Sequence, residues 1–423
     1  MKNRNTQIII AFIILVLVAA AIFWFFFLKA APIITPEDDT TPSGFSPFGT
    51  STRGTGTGKT PGQGGGTSTS STSPVPVLRL LSNTPVGGYG ASTTVNTTII
   101  RWVDRGRGSI LETTGDSLDI TKLSNTLVPR IYQSQWDKSV SAFIASVIPE
   151  NSTHQNTIYT EIVPQASSTS GADSGSSPFE LKGKTLPDGI TSYSISPKKD
   201  RVFFFSVQNG RGGGYISAIT GGTLTQIFDT PVTQVTTDWP EENTIVITTK
   251  GVSNENGFMY FINPKTGVWK KIAGPIPGLS AVVSHDASHA LISSQGADGT
   301  IQTDIYRVAS TTLINTMVQT LADKCTWGNF YKNLVYCAVP SRSVAGSYPE
   351  DWYTGIVSFS DKIWQINATT GEVKLVSNII GQSDRPIDGF NLSTDSKDNF
   401  LFFMNKTDLS LWSLDLVNSK STN

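Results

Sequence analysis

Histidine, cysteine and excess charge are all scarce in this chain, and each scarcity removes a class of function. Three histidines, His154, His285 and His289, stand in 423 residues. Two of them share the segment His285-Asp-Ala-Ser-His289, whose spacing would join metal ligands on a helix, but the surrounding pattern makes it a β-turn, so no metal is expected. Two cysteines exclude a metal cage built on thiolates and leave one pairing, Cys325 with Cys337. The formal charge of −1 and pI near 6.3 offer no concentrated basic face, so no nucleic-acid partner is expected. No Gly-x-Ser-x-Gly elbow occurs, and after the first 30 positions no long amphipathic helical stretch follows. Gly54-Thr-Gly-Thr-Gly-Lys-Thr60 has Arg53 where a phosphate loop needs its first glycine and lacks a flanking strand, so neither nucleotide nor other cofactor is expected.

What is present is a period. Runs rich in β-branched and aromatic residues begin at Ile99, Val140, Val202, Ile245, Ala290, Val335 and Phe400, mostly roughly 41 to 45 residues apart, the length of a four-stranded propeller blade. Short polar turns such as Pro197-Lys-Lys-Asp200, Asp286-Ala-Ser-His289 and Thr394-Asp-Ser-Lys-Asp398 precede several runs. Their Asp, Asn and Pro residues reverse a strand by bonding their own backbone or presetting φ. One Asp per hairpin, including Asp200, Asp238, Asp286 and Asp395, is accordingly expected to be a turn-former. Third strands follow at Tyr215, Met259, Ile305, Ile363 and Leu411.

The fold expected is all-β, a seven-bladed β-propeller over residues 77–417, with a tail at 418–423. Two longer intervals place insertions, one around Pro149 to Ser177 in blade two and one around Ser341 to Tyr353 in blade six. The last blade shows only three strands, which would leave a sheet edge open. Val77-Leu-Arg-Leu-Leu81 is expected to fill that place as a clasp between the two ends of the domain.

Ahead of the disc, residues 8–28 form an apolar run of about 21 residues, long enough to span a bilayer as a helix. Lys2 and Arg4 precede it and Glu37-Asp-Asp39 follow, which places residues 1–7 in the cytoplasm and the propeller outside. A cleaved signal peptide is the alternative, but Phe23-Trp-Phe-Phe-Phe27 is unlike a cleavage site. Residues 29–76, dominated by Thr, Ser, Gly and Pro, are expected to be a flexible linker. Cys325 and Cys337 flank the blade-six hairpin, one on each strand, and an extracytoplasmic compartment would let them form a disulfide; reduced, packed thiols are the alternative.

Two surface elements are candidates for binding. In the blade-six insertion Tyr348, Trp352 and Tyr353 lie beside Glu350 and Asp351, a residue mix enriched at binding hot spots, though such aromatics also pack loops onto their own scaffold. In blade one Arg101, Arg105 and Arg107 could pair acidic groups or serve structural ion pairs. No catalytic residue is assigned.

Ile195-Ser-Pro-Lys-Lys-Asp200, Trp327-Gly-Asn329 and Leu392-Ser-Thr-Asp395 resemble the Ser-Pro-Asp-Gly-like hairpins of WD40-like propellers of the TolB type, over about Val77 to Leu416. The Gly-His and Trp-Asp pairs of true WD40 repeats are missing. The anchor, the cysteine hairpin and the run Ser358-Phe-Ser-Asp-Lys-Ile-Trp364 are also similar to membrane-anchored propellers of candidate-phyla bacteria. That likeness implies a surface protein and brings no activity with it. The expected function is an extracytoplasmic module binding a protein or cell-envelope ligand on one face. The alternatives are a carbohydrate-active or other hydrolytic propeller and a structural subunit of a surface assembly.

Overall fold

The computed structural model describes residues 49–50, 74–128, 130–149, 155–165, 179–220 and 222–421. The apolar run 8–28, the segment 1–7 and most of the linker 29–76 lie outside the described residues, as does His154. Among the described residues no helix is long and apolar enough to cross a membrane. Within the expected linker, Gly49–Thr50 pairs antiparallel with Thr126–Leu127.

Seven four-stranded antiparallel sheets form the blades of a propeller. Their innermost strands are Val86–Thr93, Ile131–Trp136, Ile190–Ile195, Val235–Glu241, Ser280–Val283, Cys325–Trp327 and Gly389–Thr394, in blades one to seven. The runs found by period are the second strands, from Thr98–Asp104 to Phe400–Asn405. Blade two begins its second strand at Ala142, because Val140 is held in the turn at a φ of 51°.

The core explains why these second strands read as unbroken apolar runs. Both faces of each sheet are covered by neighbouring sheets, so successive side chains feed opposite interfaces. Val202 and Phe204 pack toward blade two, with Ala142, Ile144 and Tyr159. Phe203 and Phe205 pack toward blade four, with Val235, Trp239 and Ile247. One such cluster lies between each adjacent pair of blades, including the pair that closes the ring, where Leu81 and Phe402 of blade seven meet Tyr89 and Trp102 of blade one. Ring hydrogen bonds tie blade to blade at several of these interfaces. Tyr89 Oη donates to the Phe402 carbonyl (3.0 Å), Tyr306 Oη to Ile272 (2.6 Å) and Trp327 Nε1 to Val282 (3.0 Å).

Blade seven is completed as expected. Leu78–Ser82 lies antiparallel to Leu411–Asp415, with Leu78 opposite Leu414 and Leu80 opposite Trp412. The disulfide is also present: Cys325 and Cys337 are directly opposite in register, Cα atoms 4.1 Å apart, inside the interface of blades five and six.

Two expectations change. Part of the span read as a blade-two insertion is that blade's third strand, Asn156–Pro164; residues 150–154 and 166–178 are outside the described residues. Asp238 is not in a turn. It stands on the innermost strand of blade four, because the turn there is built by Glu241, which accepts from the Asn243 N–H (3.0 Å) and the Thr244 hydroxyl (3.1 Å). Asp286 and Asp395 do form turns, Asp395 accepting from the Asn399 and Phe400 N–H groups at 2.6 and 2.8 Å.

Candidate functional site: the axial cavity

The innermost strands stand around the propeller axis, and between them lies an open cavity of about 880 Å³. Blades one, two, three, six and seven supply most of its wall. Tyr89, Trp136, Tyr193, Trp327 and Trp352 contribute aromatic rings, and Gln133, Gln135, Ser192, Asn329 and Asn391 contribute neutral hydrogen-bonding groups. Charge is sparse: Arg105, Asp137, Lys138, His285 and Asp323 are the ionisable groups at the wall besides Tyr.

The local sequence accounts for this wall. Gly87-Gly-Tyr-Gly90 lets the innermost strands of blades one and two approach closely. A Cβ on Gly90 would stand 2.6 Å from the Trp136 Cβ, and one on Gly88, whose φ is +146°, would stand 2.4 Å from the Ser134 carbonyl oxygen. Asp137 is consumed by its own turn, accepting from the Ser141 and Ala142 N–H groups at 2.8 and 2.9 Å. Asp323 accepts from the Tyr353 hydroxyl at 3.2 Å.

Three buried polar atoms of wall residues have no partner among the described residues: Ser134 Oγ, Trp136 Nε1 and His285 Nε2. Burial, reinforced by the Lys138 charge, lowers the His285 pKa and favours the neutral ring. Burial and the neighbouring Lys199 charge lower that of Lys138, against the pull of Asp238, and burial raises Asp238 in turn. Burial pushes the Tyr193 hydroxyl up to about 12, so it is a neutral hydrogen-bonding group.

The residues singled out in the sequence fall in several places. Tyr348 and Trp352 are buried at 1% and 4% exposure, in a small cluster with Leu321 and Phe359. The blade-six loop, with its short helix Glu350–Tyr353, lies across neighbouring blades. Glu350 accepts from the Ser253 N–H (2.9 Å) and hydroxyl (2.6 Å), and the Tyr348 N–H donates to Gln295 Oε1 (2.7 Å). Asp351 accepts from the Ser347 N–H at 2.8 Å. Trp352 thereby becomes part of the cavity wall, and Tyr353 borders a smaller pocket between blades four and five.

The three arginines are not gathered into one group. Arg101 bonds Glu112 (2.7 Å) and the Val140 carbonyl (2.8 Å). Arg105 stacks over the Tyr132 ring, 4.8 Å from its centroid, at the cavity edge. Arg107 is on an exposed turn whose N–H bonds Asp104. Sequence reasoning missed the cavity residues Gln133, Gln135, Tyr193 and Asn391. The only available signal was their position on the first strand of each blade, which the period locates but does not rank.

No family model matches the chain, and no curated protein matches it. Solved structures do. An oligogalacturonate lyase from Vibrio parahaemolyticus aligns with a TM-score of 0.53 at 9% identity, over 80% of this chain and 93% of that one. TolB from Acinetobacter baumannii aligns with a TM-score of 0.41 at 10% identity over 73% of this chain, and the β-propeller domain of the Trilobed protease from Pyrococcus furiosus with 0.47 at 11% over 78% of this chain and 95% of that domain. The chain spans 59% of the length of TolB and 46% of that of a puromycin hydrolase. At such identities the likeness is one of fold, the propeller.

Proposed function

We propose that this protein is a membrane-anchored, extracytoplasmic binding module that holds a cell-envelope ligand in the axial cavity of its propeller. The observation that carries the reading is the character of the wall. An open space of about 880 Å³ combines several aromatic rings with neutral amide and hydroxyl groups, and three buried polar atoms beside it lack partners among the described residues. Ligand sites take this form, concave and largely apolar with a few convergent polar groups. Flat rings flanked by amides and hydroxyls suit a polar ligand with apolar ring faces, such as an envelope saccharide. Anchoring rests on the apolar run 8–28 and the cations before it. The blade-six loop contributes through Trp352, with Arg105 and Tyr132 at the cavity edge.

The hydrolytic alternative draws less support. Asp323 bonds Tyr353 and Asp137 bonds its own turn, and among the described residues no cluster of three or more His, Cys, Asp or Glu side chains could hold a metal.

The test is calorimetric titration of the purified full-length protein with solubilised envelope oligosaccharides, compared with Gln133→Ala/Gln135→Ala and Tyr193→Ala. Loss of two amide contacts or one aromatic platform is expected to weaken binding by about tenfold or more, about 1.4 kcal/mol. Saturable binding that both variants retain at full strength would remove the cavity from this account.

A further inference from the structure

Beneath the blade-six loop lies a charged group that the binding site does not use. Lys324 ends the short turn before the innermost strand of blade six, Asp361 begins that blade's third strand, and Asp388 immediately precedes the innermost strand of blade seven. All three side chains are fully buried, at 0% exposure. The Lys324 amine contacts both carboxylates, Asp361 Oδ2 at 2.8 Å and Asp388 Oδ1. Two rings complete the enclosure, with the amine 5.3 Å from the Trp352 centroid and 5.1 Å from that of Phe359.

We propose that Lys324 and Asp388 condense into an intramolecular amide bond, with Asp361 carrying the proton. The two carboxylates are not equivalent, and their differences assign the roles. Asp388 Oδ2 accepts three hydrogen bonds, from Trp352 Nε1 (3.0 Å), the Ser358 hydroxyl (3.1 Å) and the Phe359 N–H (3.0 Å). Such a fixed set of donors stabilises the negative oxygen that forms when an amine adds to a carboxyl carbon. Asp361 has no comparable set. Its Oδ2 accepts from Lys324 and the Gly389 N–H, and its Oδ1 is buried with no partner among the described residues. Burial, opposed by the Lys324 charge and reinforced by that of Asp388, pushes the Asp361 carboxyl up to about 6, which suits it to take and return a proton near neutrality.

The step balances without any co-reactant. The ammonium of Lys324 gives a proton to Asp361, which passes it to Oδ1 of Asp388, and the freed lone pair attacks Cγ of that carboxyl. Charge builds on Oδ2 among its three donors. Asp361 then takes a second proton from nitrogen and delivers it to Oδ1, and the Cγ–Oδ1 bond breaks to release one water, leaving Asp361 a carboxylate again. Enclosure supplies the driving geometry: the amine already touches Oδ1 of the carboxylate it attacks, and an ion pair held away from water is costly relative to neutral groups. The product would join blade six to blade seven one residue before the cysteine that staples blade six internally.

Intact mass spectrometry of the purified full-length protein, reduced and denatured, tests this. The expected mass is below that of the sequence by one water, and peptide mapping is expected to give a branched peptide containing both Lys324 and Asp388. Asp361→Asn is expected to restore the full mass, with the far-ultraviolet circular dichroism of a folded propeller. A wild-type chain at full mass overturns the proposal without recourse to any variant. A branch at Asp361 in place of Asp388, or loss of water persisting in Asp361→Asn, overturns the assignment of roles.

Discussion

Asp286 shows how one turn residue makes stability depend on pH. Burial opposes its charge, but the Ser284 and Ser288 hydroxyls and the Ser288 N–H, at 2.6, 2.7 and 3.0 Å, outweigh that and hold its pKa at about 2. The pKa of an unfolded aspartate is about 3.9, so the charged form favours the folded chain. This contribution is complete above pH ~4 and is lost as pH falls toward 2. Asp286→Asn is therefore expected to shrink the drop in stability between about pH 5 and pH 2, measured by urea titration at each pH. Its role was legible because an Asp at a hairpin start bonds backbone within a few residues. Asp238 was not, since its surroundings are set first by burial on the innermost strand of blade four, then by the Trp239 N–H and by Lys138 of another blade.

Elements were legible to the degree that they are buried. The second strands stand between two sheets, so each carries an apolar run that composition alone betrays. The outermost strands, such as Thr121–Lys122 and Thr312–Asn315, are short and exposed, and nothing in their residues separates them from loops. The clasp was found by a topological argument, the missing fourth strand of blade seven, and its packing bears that out. Leu81 is 2% exposed and meets Tyr89, Trp102 and Phe402. Truncating it should leave a cavity at the closing interface. Leu81→Ala is expected to cost about 2 to 4 kcal/mol in equilibrium urea denaturation. A cost under about 0.5 kcal/mol would mean that the clasp adds little to closure.

For the whole molecule, the ring was legible and the cavity was not. Repetition at one period announces blades, whereas the cavity wall takes only a few residues from each of several blades, and no local pattern marks them. The angular share of each blade is also set by details too small for periodicity, such as the absence of a side chain at Gly90. A methyl group there would act as a wedge between blades one and two, 2.6 Å from Trp136 and 2.9 Å from Val140. Gly90→Ala is expected to lower stability by about 1 to 3 kcal/mol and to shift the tryptophan fluorescence, because Trp136 must move.

The make-up of blade seven also fixes the timetable of assembly. Residues 78–82 are made before the first blade, and the strand they must join, Leu411–Asp415, is made after the sixth. Six blades can be complete on a nascent chain while the seventh waits, so a translation arrest between Ser377 and Leu411 leaves an open horseshoe and no finished disc.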